Sequence, residues 1–183
     1  EQVEFLVRLG ERLDNWVRPG DVEDTLMPGV PLISGAAQAL QFPARVIDVL
    51  MARWIRVKDY LTQKPVALLI GPPQRDFSTH CTGKDIILKS GKTWFTTYCA
   101  QRNFLRIATR QGHSAVLIAH EQKPAEDYFE QIHTAWGWLP GKLGEVLRAG
   151  ALRTQKANVR EMYFPEMNSH YQVATAGAAA AGL

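Results

Sequence analysis

A chain of 183 residues, 46% hydrophobic and 21% charged, carries enough apolar material for the core of one ordinary α/β domain and little more. Its formal net charge of +3 suits contact with a polyanion but serves solubility equally well, so charge alone selects no partner. No apolar run reaches the ~18 residues of a membrane span, the first residues lack a basic signal-peptide start, and Cys81 and Cys99 form neither a C-x-x-C pair nor a disulfide framework, so the chain reads as soluble and intracellular.

Phe5, Leu6, Leu9, Leu13 and Trp16 recur at helical spacing, and Arg18-Pro19-Gly20 stops the pattern. Pro28, Gly29, Pro31 and Gly35 then punctuate an irregular connection. Residues 1–38 thus read as an N-terminal helix and connection, and 39–183 as the main domain. From Phe42 to Leu61 the residues Val46, Ile47, Leu50, Trp54, Val57 and Leu61 share one helical face, with Pro43 tolerated in the first turn. After Pro65 the period changes. Val66–Ile70, Asp85–Leu88 and Ser114–Ala119 read as short buried parallel strands, with helices following at 95–110 and 124–137. This alternation favours a parallel α/β sheet. Leu143–Ala151 reads as a further helix, and Asn158–Phe164 with His170–Ala174 as a hairpin around Pro165–Ser169. The start without Met and the small-residue end Ala178–Leu183 read as those of a fragment.

The segment with a ligand implied in it runs from Asp85 to Thr97. A β-branched run leads to Lys89, Gly91, Lys92 and hydroxyl residues, then to a helix, which is the grammar of a phosphate-binding loop: free N–H groups and a helix N-terminus facing an anion. It departs from G-x-x-x-x-G-K-[ST], because Ile86 stands where the first glycine belongs. With Lys89 opening the loop, Lys92 lies inside it and Thr96 falls where a hydroxyl would meet Mg²⁺, beside Thr97. The bland alternative is a strand-to-helix turn with solvated lysines and a capping threonine. Residues 67–82 also align on 85–100, matching at Phe77/Phe95, Thr79/Thr97 and Cys81/Cys99. Duplication and chance both remain open, and Gly71–Ser78 becomes a second loop candidate, although Pro72 and Pro73 remove two N–H donors.

Lys89–Tyr98, Ser114–His120, Pro124–Glu130, Asn158–Glu166 and Tyr171–Gly177 together resemble, in order and spacing, the ATPase part of tailed-phage terminase large subunits. That family has a deviant Walker A of the form K-x-R-Q-x-G-x-[ST]-T after a strand, then a strand ending in Ala-His, then a hairpin leading to Ala-Thr-Ala-Gly. The resemblance implies a three-layer P-loop NTPase-like parallel sheet with a C-terminal β-hairpin and N-terminal helices. It implies ATP and Mg²⁺ held by Lys89, Gly91, Lys92, Thr96 and Thr97, with Thr96 on the metal. Double-stranded DNA, a portal protein, a small terminase subunit and a homo-oligomer are the implied partners, and the host cytoplasm the implied location. Upstream, Phe42-Pro-Ala-Arg45 is similar to the Pro-Ala-Gln that opens the family's adenine-side helix, with Arg45 in place of glutamine. Gly91 and Lys92 stand where the family has Arg-Gln, and Trp94 where it has glycine. Its Walker B carboxylates and nuclease domain would lie after residue 183, so this chain reads as an ATPase fragment without turnover of its own.

Other residues weigh less. Arg148, Arg153, Lys156 and Arg160 form a basic stretch suited to DNA phosphates or to solvent. The five histidines show no H-x-x-x-H spacing, His120 ends a strand where ligand crevices form, and Cys99 reads as a buried helix cysteine. Tyr128, Phe129, Trp136 and Trp138 read as core rather than as a base-stacking platform. The competing functions are a non-catalytic interaction module or prophage remnant, favoured by Trp94, and a different nucleotide-binding enzyme whose loop is Gly71–Ser78.

Overall fold

The computed structural model describes residues 1–17, 44–59, 61–89, 93–139, 141–157 and 160–179. The connection read at 21–38, together with Pro43, Gly91, Lys92 and the last four residues, lies outside them.

The first helix, α1 (Gln2–Glu11), buries Leu6 and Leu9, and Leu13 follows it into the same core. Trp16–Val17 (β1) pairs antiparallel with Ala44–Arg45 (β2), which leads directly into α2 (Val46–Trp54). All nine residues of α2 are buried, including Asp48 and Arg53. The helix expected to continue to Leu61 stops at Trp54. Ile55 adopts an extended conformation, and β3 (Arg56–Lys58) pairs antiparallel with β4 (Pro65–Ala67) across a turn closed by Asp59, whose carboxylate accepts from the Thr62 N–H at 2.7 Å. The β-branched residues Ile55 and Val57 favour this switch.

Two of the three expected parallel strands are corrected by the structure. Val66 belongs to the β3–β4 hairpin, and beyond it Leu68 and Ile70 are buried without strand pairing. Asp85–Leu88 forms no strand: Ile86 and Leu88 are fully exposed, and Asp85 turns back to accept from the N–H groups of Thr82 and Gly83. A short apolar run gives no information about a pairing partner, and none pairs with it among the described residues. Between these segments the second loop candidate, Gly71–Ser78, forms the start of a helix instead. Gly71 caps α3 (Pro72–His80), and the two prolines that would disable a phosphate loop instead pre-set the first helical turn.

The remainder follows the expected order. Helix α4 (Phe95–Thr109) precedes β5 (Ser114–Ala119), α5 (Gln122–Gly137) and α6 (Gly141–Ala149); β6 (Lys156–Ala157), β7 (Glu161–Phe164), a 3-10 turn (Pro165–Met167), β8 (Ser169–Thr175) and α7 (Ala176–Ala179) complete the chain. The result is a mixed α/β fold with small sheets. Its main sheet has strand order β5-β8-β7-β6, with β5 and β8 parallel and the other pairs antiparallel. One face, carrying Met162, Phe164, Tyr171 and Val173, is buried, and Phe164 meets Phe104 of α4 with ring centroids 6.4 Å apart. On the opposite face Val116 and Ile118 of the edge strand β5 stay exposed. Helices α1 and α4 pack closely at Gly10, where an added Cβ would lie 2.1 Å from the Thr109 carbonyl oxygen. No helix among the described residues is long and apolar enough to cross a membrane.

Candidate functional site

Helix α4 begins at an unusual residue. Trp94, immediately before it, has φ 57° and ψ 10°, the left-handed region that a side chain with a Cβ rarely adopts. Its carbonyl accepts the Tyr98 N–H at 2.9 Å and so closes the first turn. The preceding residue is held from a second helix, because Gln74 of α3 donates to the Thr93 carbonyl at 2.7 Å. The first turn of α4 has neither an acidic residue nor a side-chain cap. Its free N–H groups and partial positive charge are therefore left uncompensated by the helix itself.

A cavity of about 630 Å³ lies at this helix start, and Lys89, Trp94, Thr96, Thr97 and Tyr128 are among the residues lining it. Three of the five residues expected to bind phosphate thus meet at one cavity; Gly91 and Lys92 lie outside the described residues. The two threonines differ. Thr97 is buried and its hydroxyl donates to Oε1 of Gln131 at 3.0 Å, whereas the half-buried Thr96 has no hydrogen-bond partner for its hydroxyl among the described residues. Lys89 is exposed, and its side chain also lines a neighbouring cavity of about 520 Å³ shared with Phe77, His80 and Leu88.

Behind the helix start sits a buried polar group of residues that sequence reasoning missed. Asp48 of α2 accepts from the Tyr98 hydroxyl at 2.8 Å and from the Ser78 hydroxyl, and Arg102 donates to Tyr98 at 2.7 Å and to Ser78 at 2.9 Å. Burial, then the Asp48 charge, pushes the Tyr98 phenol well above its usual range, so it remains a neutral donor. Burial disfavours the Arg102 cation, but Tyr98 and Asp48 outweigh it and the guanidinium is held charged. The signal was present in the sequence as an aspartate inside an otherwise apolar stretch. Ser78, the hydroxyl of the alternative loop, is committed to this network.

The paired segments of the internal similarity meet in space: Phe77 and Phe95 stack edge-to-face at 5.3 Å. No family model, curated protein or solved structure matches the chain.

The remaining candidates are placed as follows. Arg45 is held by the Asp14 and Thr79 carbonyls at 3.3 Å each and lies over the Trp16 ring at 5.3 Å. Arg153 pairs with Glu166 at 3.1 Å, Arg160 lies 3.9 Å from Glu126, and Arg148 donates to the Leu139 carbonyl. Lys156 sits in the edge strand β6. His120 is exposed beside Glu121, and burial pushes the half-buried Cys99 thiol up to about 11. Phe129 is buried as expected, while Tyr128, Trp136 and Trp138 are half-buried. Among the described residues no group of three or more His, Cys, Asp or Glu side chains is placed to hold a metal ion.

Proposed function

We propose that this chain is the nucleotide-binding part of the motor of a viral DNA-packaging terminase large subunit, holding ATP·Mg²⁺ at the start of α4. One observation carries the reading. Lys89, Thr96 and Thr97 line a single cavity at an acid-free helix start, entered through a left-handed residue at the position where the terminase pattern has glycine. Glycine serves such a position because it has no Cβ to strain, so the backbone is of the kind the pattern needs although the side chain is not. Lys89 would meet phosphate, the N–H groups of the first turn would face its oxygens, and the Thr96 hydroxyl, which has no partner among the described residues, would face the metal. Bound ATP·Mg²⁺ supplies a polarised phosphoanhydride. No carboxylate lines this cavity among the described residues, so binding rather than turnover is the property assigned to them.

The same reading extends to a three-layer P-loop fold for the whole motor domain, to double-stranded DNA, a portal protein, a small subunit and further copies as partners, and to the host cytoplasm as location. Any DNA contact through Arg153, Lys156 and Arg160 competes with the carboxylates already beside two of them. The reading is tested by the Mg²⁺ dependence of ATP affinity. Thr96→Ala should lose the gain in affinity that Mg²⁺ gives, and an undiminished gain in that variant would remove Thr96 from the site.

A second reading, a non-catalytic interaction module, is favoured by the bare apolar surface of Ile86 and Leu88 and by the place of β5 at the sheet edge among the described residues. It predicts no nucleotide binding at all.

A further inference from the structure

Trp94 is the residue that best separates this cavity from a plain phosphate loop. The residue is 53% exposed, and it is a wall shared by two cavities, the one of about 630 Å³ described above and another of about 380 Å³ that reaches Asp59 and Glu130. A large aromatic ring left half in water, on a backbone conformation that strains it, gains little for folding. The half-buried Tyr128 of α5 lines the larger cavity with it. What that cavity lacks is equally informative. Its side chains are lysine, threonine and aromatic; no amide or carboxylate among the described residues lines it. A purine or pyrimidine is distinguished by hydrogen bonds to its edge, and the hydroxyl groups that line this cavity among the described residues turn to donate or to accept and so suit either base. Stacking on an aromatic face is likewise open to every base.

We infer that Trp94 is a stacking platform for the nucleobase, with Tyr128 as the second aromatic wall, and that the site takes nucleoside triphosphates as a class without selecting adenine. This inference rests on the phosphate reading above. Lys89 and Thr96 hold the triphosphate, and the indole supplies the affinity that distinguishes a nucleotide from bare polyphosphate.

The experiment compares equilibrium binding of ATP, GTP and inorganic tripolyphosphate, each with Mg²⁺, to the unmodified chain, Trp94→Phe and Trp94→Ala. ATP and GTP are expected to bind the unmodified chain within about threefold of each other, and tripolyphosphate about tenfold more weakly. In Trp94→Ala the advantage of ATP over tripolyphosphate should fall from about tenfold to none, a ratio read between two ligands on one protein and so independent of how tightly that variant holds phosphate. Trp94→Phe should retain most of the ATP affinity. A preference for ATP over GTP above tenfold would overturn base indifference. Tripolyphosphate binding the unmodified chain as tightly as ATP would overturn the stacking role while leaving the phosphate site standing, and failure of all three ligands to bind would end both readings together.

Discussion

The Tyr98 hydroxyl donates to the Asp48 carboxylate across 2.8 Å of protein interior, joining α4 to α2 directly behind the candidate site. Both residues are almost wholly buried, and Arg102 completes the group from one turn further along α4. Such a network is costly when broken on one side, because it leaves a charge without its counterpart. Asp48→Asn is expected to lower the unfolding free energy by about 3–5 kcal/mol, and Tyr98→Phe by about 1–3 kcal/mol. Urea titration checks both. A double variant Asp48→Leu with Arg102→Met should lose clearly less than the sum of its single changes.

Gly10 sets how closely α1 approaches α4. In an exposed helix Gly→Ala stabilises by about 1 kcal/mol; here the added methyl would meet the Thr109 carbonyl, which is backbone and has little freedom to retreat. Gly10→Ala is therefore expected to destabilise by about 1–3 kcal/mol, a reversal of sign that thermal denaturation would register.

Much of the fold was legible where the sequence has long periodic segments. Helices α4 and α5, strand β5 and the β7–β8 hairpin fall where spacing and turn residues place them, because an amphipathic stripe or a β-branched run between turn residues carries its own instructions. Short apolar runs carried less. Asp85–Leu88 and Val66–Ile70 look alike in composition, yet the first is exposed and unpaired among the described residues and the second is split between a hairpin and a buried connection. Pairing partners decide such cases, and they are distant in sequence. At the start of α4, the nearness of Lys89, Thr96 and Thr97 follows from their spacing in the chain, whereas Tyr128 and Gln131 arrive from α5 by tertiary packing, which no local pattern records. The Asp48 network escaped for a related reason: its partners lie on three helices.

Trp94 offers a direct test of backbone strain. A Cβ at a left-handed position costs about 1–2 kcal/mol. Trp94→Gly should therefore be more stable than Trp94→Ala by about 1 kcal/mol, measured by the same denaturant titration. Equal stabilities would mean that the turn relaxes out of this conformation.

Asp14 gathers three arginines: Arg106 at 2.8 Å, Arg110 at 2.9 Å and Arg45 at 3.9 Å. Partial burial raises its pKa, but the Arg106 charge and the Arg110 hydrogen bond and charge outweigh it, and the net direction is downward. A carboxyl depressed in the folded state contributes stability above its unfolded value of ~3.9, and that contribution is lost as pH falls through the lower folded value. Acid unfolding below about pH 4 should consequently be steeper in the unmodified protein than in Asp14→Asn, with the difference vanishing near neutrality only in slope and not in level. Because Asp14 is well exposed, high salt should shrink the effect.

If the start of α4 holds a nucleoside triphosphate through Lys89, calorimetric titration of the chain with ATP in the presence of Mg²⁺ should give a saturable heat, and Lys89→Ala should lose it. The same binding in both proteins would place ATP elsewhere, and no heat in either would contradict the phosphate site and favour the interaction-module reading.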